Sequence, residues 1–167
     1  MDRQLKGFDP IVDTDSELLI LGSMPGVVSL TKNEYYGHSQ NLFWRILADI
    51  FKGDPDASYE AKVALLKSNK IALWDVLSAC ERDGSLDSAI VPSSMVANDF
   101  NHFYKRYPKI KRVLFNGIFA EKSYKKLVIQ TVNTSLHMHR LPSTSPAHAR
   151  LTYQEKLVVW NIALIGN

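Results

Sequence analysis

Cysteine is nearly missing: Cys80 is the only one in 167 residues. That excludes an internal disulfide, and also a metal or iron–sulfur site built from cysteines of a single chain. Long apolar runs are missing too. None approaches the ~20 residues that a membrane span requires, and the opening stretch MDRQLKGFDPIVDTDSE holds no apolar signal region. The expectation is an intracellular protein without membrane association, cytoplasmic in a prokaryotic cell and nuclear or organellar otherwise. No sign of charge dominates: 20 Lys and Arg stand against 17 Asp and Glu, a net charge of +3, with a pI near 8.9. So mild an excess permits a nucleic-acid partner without demanding one. No Gly-x-Gly-x-x-Gly follows the first strand, so the dinucleotide fingerprint is absent. Pro142 to Pro146 reads Pro-Ser-Thr-Ser-Pro and does not fit the nucleophile elbow Gly-x-Ser-x-Gly. No repeat, low-complexity tract or linker interrupts the chain. Its 46% hydrophobic and 22% charged residues suit a globular protein, read most simply as one domain over 1–167.

What is present is organised around Leu18 to Phe51. Residues 17–21 are apolar on both faces and predict a buried strand. Gly22 and Gly26 bracket Ser23, Met24 and Pro25, where a glycine permits positive φ and a close backbone approach. A polar and aromatic run follows: Ser29, Asn33, Tyr35, Tyr36, His38, Gln40 and Asn41. Leu42, Phe43, Ile46, Leu47, Ile50 and Phe51 then recur at helical spacing, with Asn41 placed as an N-cap and Gly53 as the stop. Further along, helices are predicted over 58–69, 96–107, 117–130 and 152–164, and strands over 70–77, 111–116 and 135–141. Residues 1–16 read as an irregular lead-in and 81–94 as a loop. Alternating strands and helices predict an α/β fold, a parallel sheet with helices on both faces. Ligands bind such sheets at the carboxyl ends of the strands. All four predicted strands end in polar groups, at Ser23, Asp75, Asn116 and Ser143 to Ser145.

At these ends the sequence resembles a known family. GSMPG at 22–26, YYGHSQNLFW at 35–44 and LPSTSPA at 141–147 resemble the motifs of the uracil-DNA glycosylase superfamily. LWDVLSACERDGSLDSAI at 73–90 and FNGIFA at 115–120 extend the likeness to its hypoxanthine (deoxyinosine) branch. Each motif alone is weak, but their order and spacing together are specific. The resemblance implies a three-layer α/β/α sandwich around a central four-stranded parallel sheet, with DNA at the carboxyl edge. It implies monofunctional hydrolysis of a base–sugar bond in base excision repair, without metal or cofactor, by a monomer acting on DNA with deaminated bases. In many members a water-activating Asp or Asn follows the leading glycine of the first motif. Ser23 stands there instead, a departure shared with the hypoxanthine branch, whose catalytic Asn falls on Asn41. The uracil-removing branches open the last motif with a His; Leu141 in that place argues against a strongly uracil-active enzyme of that type. The alternatives are uracil or xanthine excision on the same scaffold, or a DNA- or nucleotide-binding module without catalysis, the rival that Ser23 keeps open.

Each candidate has a bland reading beside a functional one. Asn41 is either an N-cap or a group that orients water, since an amide cannot remove a proton at neutral pH. Ser23 and His38 are further contacts to that water or to the sugar phosphate. Asp75 is either a cap or a reader of the flipped base, as an Asn near that strand end is in relatives. An ionised carboxylate there would accept from the N–H of hypoxanthine or uracil but repel the adjacent carbonyl. Asn116 is a turn residue or a base contact, and Met24 belongs with the base pocket. Tyr35, Tyr36, Phe43 and Phe115 are candidates to stack on a base, Phe43 being placed on the apolar helix face. Ser143, Thr144 and Ser145 form a hydroxyl-rich loop suited to a phosphate, with His148 and Arg150 following. His137 and His139 share one strand face and are read as core or DNA-facing rather than metal ligands.

Overall fold

The structure is a computed structural model and describes residues 3–166, so the first two residues of the expected lead-in lie outside the described residues. Four strands form a parallel sheet: β2 (Leu18–Gly22), β3 (Ile71–Asp75), β6 (Arg112–Asn116) and β7 (His137–Leu141), in the order β3-β2-β6-β7. β2 and β3 are buried at every position, as continuous apolar runs covered on both faces require. Their register pairs Gly22 with Asp75, and β6 and β7 pair Asn116 with Leu141. All four carboxyl ends therefore lie along one edge.

Helices cover the sheet. α2 (Phe43–Phe51) turns Phe43, Ile46 and Leu47 inward and packs with α3 (Tyr59–Ser68) and α6 (Tyr153–Ile165). α4 (Phe100–Arg106) and α5 (Ile118–Leu127) are joined by a buried hydrogen bond between the Tyr104 and Tyr124 hydroxyls, 2.8 Å apart. The flanked four-stranded parallel sheet is the architecture expected. Among the described residues no helix is long and apolar enough to cross a membrane.

Several local expectations are corrected. The lead-in contains a strand, β1 (Gln4–Lys6), and the strand expected to run on to residue 77 ends at Asp75. After Val76 the chain enters β4 (Leu77–Glu81), which pairs antiparallel with β1 and with β5 (Val96–Ala97) in a second, three-stranded sheet. The helix expected from residue 96 begins only at Phe100, where Asp99 caps it by accepting the His102 N–H. A short helix, α1 (Val27–Lys32), occupies the start of the polar run after β2. The N-cap of α2 is Leu42, and Asn41, expected in that place, sits one residue before it. Lys52, in the left-handed region, ends α2 directly before Gly53.

Candidate active site

The strand ends surround a cavity of about 570 Å³ lined by Ser23, Tyr36, Asn41, Asp75, Asn116 and the loop at 143–148, among others. That volume lies within the range of small-molecule sites. Its shape depends on two glycines. A Cβ at Gly22 would lie 2.5 Å from Asp75 Oδ1 and 2.8 Å from the Tyr36 hydroxyl, so glycine at 22 is required for space rather than for positive φ. Gly117 does carry positive φ, at 98°, and a Cβ there would meet that of Ser143 at 3.1 Å. Gly26 is extended at φ −73° and makes no use of the positive φ that glycine permits.

One hydrogen-bond relay fixes three walls. Asn116 Nδ2 donates to the Tyr36 hydroxyl at 3.1 Å and to Thr144 Oγ1 at 2.9 Å, while Asn116 Oδ1 accepts the Thr144 N–H at 2.9 Å. The Thr144 carbonyl in turn accepts the N–H of Leu42 at the start of α2. Asn116 thus commits both amide hydrogens to the protein and braces the loop, while it still lines the cavity. Thr144 is fully buried, so its hydroxyl anchors the loop instead of meeting a phosphate. Ser143 and Ser145 differ. Their oxygens accept the N–H groups of Ser145 and Ala147 at the cavity lining, and each hydroxyl keeps an O–H able to donate. α6 supports this loop from beneath, Trp160 Nε1 donating to the Pro142 carbonyl and the buried Lys156 to that of His148. Arg150 is exposed and lies outside the cavity lining.

Asn41 Oδ1 accepts the Phe43 N–H at 3.0 Å, which orients the amide at the cavity wall. His38 is exposed at the rim, its Nδ1 accepting the Gln40 N–H. Tyr36 has φ of 53°, uncommon for a tyrosine. One face of its ring stacks on Phe43 with centroids 4.2 Å apart. Burial, and then the charge of Asp75, push its phenol above the usual tyrosine range. The other aromatic candidates are scaffold. Phe43 and Phe115 are buried in the core, and Tyr35 donates its hydroxyl to the Asp9 carbonyl while its own carbonyl holds Trp44. Phe119, half-buried at the start of α5, lines the cavity together with Tyr35 and Tyr36. Met24 is buried in the lining. His137 and His139 are both exposed on β7, so neither is a core residue. Among the described residues no three His, Cys, Asp or Glu cluster as metal ligands.

Asp75 lies at the cavity floor with 4% of its surface exposed, and its Oδ2 is buried without a partner. Burial first, and then the charge of Asp87, push its carboxyl up to about 7, against the opposing pull of Arg82. A carboxyl with that value is about half protonated at neutral pH, and in its protonated form it can donate as well as accept, which relieves the repulsion expected of an ionised group.

Three residues of the segment 82–87 escaped sequence reasoning. Arg82 is buried and donates to the Gly84 and Pro25 carbonyls, both at 2.7 Å. Ser85 accepts the Val27 N–H at 2.9 Å. Asp87 Oδ1 accepts the Ser23 hydroxyl at 2.6 Å. The only available signal was their place inside the resembling stretch 73–90; nothing in the spacing links position 23 to position 87.

The model of the uracil DNA glycosylase superfamily matches residues 10–163. The chain belongs to the uracil DNA glycosylase superfamily. It is 44% identical over 113 residues to a hypoxanthine DNA glycosylase of Methanosarcina barkeri, covering 67% of this chain and 70% of that one. It is 38% identical over 148 residues to a hypoxanthine DNA glycosylase of Methanosarcina acetivorans, covering 88% and 90%. A solution NMR structure from Methanosarcina acetivorans, solved as a candidate uracil DNA glycosylase, superposes with a TM-score of 0.81 at 34% identity over 96% of each chain.

Proposed function

We propose that the protein is a single-domain, monomeric DNA glycosylase that hydrolyses the N-glycosidic bond of deaminated bases, hypoxanthine foremost, in base excision repair. The observation that carries this is the convergence of Asn41, Asp75, Tyr36 and the Ser143–Ser145 loop on one cavity at the sheet edge. The bond to be cut is unreachable within the stack, so the nucleotide must swing out. Its base enters between Tyr36 and Phe119. At the floor, neutral Asp75 donates to the base carbonyl and accepts from the adjoining N–H. Ser143 and Ser145 donate to a backbone phosphate, which positions the strand without reading it. Asn41 orients a water below the anomeric carbon, and positioning lowers the barrier to a cationic, oxocarbenium-like sugar. The names of the two Methanosarcina relatives support hypoxanthine as the leading base.

Incubating the protein with duplexes that contain inosine, uracil or xanthine tests this reading. The expected result is abasic sites, revealed by alkaline cleavage, fastest on inosine. Faster excision of uracil or xanthine moves the substrate and keeps the reaction. Tight binding without product on every duplex overturns the enzyme reading in favour of a DNA-binding module.

A further inference from the structure

Two carboxylates line the cavity, and their surroundings differ. Asp75 is enclosed at the floor of the parallel sheet. Asp87 is half-buried on the wall, carried by a turn outside that sheet, at 87–89. This turn is held in place three times over, by Ser23 on Asp87, by Ser85 on the Val27 N–H, and by Arg82 on the Gly84 and Pro25 carbonyls. Such anchoring fixes a carboxylate against the β2–α1 loop, on the same cavity as Asn41.

Hydrolysis requires something that Asn41 lacks. Its amide orients water but takes no proton, and its Oδ1 already accepts the Phe43 N–H. Of the other basic groups on the lining, His38 and His148 are exposed on rim loops and Asp75 is enclosed beneath the base. We propose that Asp87 is a further catalytic residue of this site, its carboxylate, held by Ser23, accepting a proton from the attacking water.

The proposal rests on the glycosylase reading and completes it. An oxygen lone pair of the water forms the bond to the anomeric carbon as the bond from that carbon to the base nitrogen breaks. The broken bond's electron pair stays on the base. One water proton passes to Asp87 and reaches the departing base through solvent, so the products are a hydroxyl on the sugar and the neutral free base. An anionic Asp87 also lies near the positive charge that develops on the sugar, where preorganised charge acts most strongly. The groups around Asp87 are Ser23 from the β2–α1 loop, Asp75 from β3, Cys80 and Arg82 from β4 and the following turn, and Tyr36. Burial raises the Asp87 carboxyl above the usual carboxylate range, while the Ser23 bond and Arg82 pull it back. The charge of Asp87 in turn raises Asp75. Two carboxyls driven apart in this way divide the anionic and the neutral role between them.

The test is single-turnover excision from an inosine duplex by the wild type, Asp87→Asn and Asp87→Ala. Asp87→Asn keeps an acceptor for Ser23 and removes the charge. Its rate is expected to fall ~100-fold or more, while affinity for a duplex bearing non-cleavable 2′-fluoro-deoxyinosine stays within about three-fold, since the contacts that hold the strand are untouched. The wild-type rate should rise with pH as Asp87 ionises, and this acid limb should vanish in Asp87→Asn while the alkaline limb from Asp75 persists. Added formate should restore Asp87→Ala by supplying the missing carboxylate. An Asp87→Asn rate close to wild type overturns the proposal and leaves the glycosylase reading standing. Equal losses of rate and binding with no response to formate also overturn it, reducing Asp87 to a strut for Ser23. A wild type that makes no abasic sites removes both readings together.

Discussion

At the scale of single residues, the site turns on groups whose chemistry differs from their names. Asp75 ionises near 3.8 in an unfolded chain and near 7 in the fold. Between those values the native state keeps a proton that the unfolded chain has released. The stability from this group is therefore whole below about pH 3.8, declines as pH rises through 7, and levels off above it. The span corresponds to at most roughly 4 kcal/mol. Asp75→Asn should abolish this part of the pH dependence, so the excess of its melting temperature over that of the wild type should be larger at pH 8 than at pH 5. Identical melting curves at both pH values would show that Asp75 is ionised in the fold. The same substitution should abolish the alkaline fall in excision, because an amide donates at every pH. Above pH 7 it should also raise uracil excision relative to hypoxanthine excision, the smaller base relying more on polar contacts than on stacking area. An unchanged ratio of single-turnover rates would make Asp75 a structural cap. Asn41→Ala should slow excision ~100-fold or more while the circular dichroism spectrum and duplex affinity hold. A wild-type rate in that variant would hand the water to Asp87 and Ser23.

At the scale of elements, the Asn116–Thr144 relay is what keeps the strand ends, the phosphate loop and the start of α2 in fixed relation. Asn116→Ala would strand the buried Thr144 N–H and hydroxyl, an expected loss of about 2–4 kcal/mol by urea denaturation. Asn116→Asp keeps the acceptor for the N–H and should recover part of that loss. A variant as stable as wild type would mean that the loop holds its shape without the relay. Gly22→Ala should be worse for activity than for folding, since its methyl displaces the Asp75 carboxyl and the Tyr36 hydroxyl. These elements were unequally legible in the sequence. β2, β3 and β6 declare themselves by runs of Leu, Ile, Val and Phe, buried because helices cover both faces. β1 and β5, of three and two residues, are too short to show a period. The shift from β3 to β4 occurs within one residue, Val76, and leaves no turn signal. α1 lies in a stretch rich in Ser, Thr and Asn, whose propensities favour turns.

At the scale of the molecule, the edge at which chemistry occurs was readable, because parallel topology alone sends Ser23, Asp75, Asn116 and Ser143 to one side. The division of labour among them was not. The mutual bonds that make braces of Asn116 and Thr144 leave no trace in the sequence, and Asp87 meets Ser23 across 64 positions of chain. A net charge of +3 supplies little long-range attraction for DNA, so affinity must come from local contacts, and the hydroxyls of Ser143 and Ser145 are suitably placed. Each can donate to a phosphate oxygen, and such contacts carry no base information. The double substitution of Ser143 and Ser145 by Ala should therefore weaken inosine-bearing and undamaged duplexes by the same factor. Losing about 1.4 kcal/mol of hydrogen bonding corresponds to roughly ten-fold in affinity. Because these donors are neutral hydroxyls that release no counterion, the slope of log affinity against log salt should stay that of the wild type. Fluorescence anisotropy on the two duplexes across a salt series measures both quantities. A loss confined to the inosine duplex would place this loop in the base pocket. A shallower salt slope would mean that the substitutions had also moved a basic group off the DNA, with His148 the nearest on the loop.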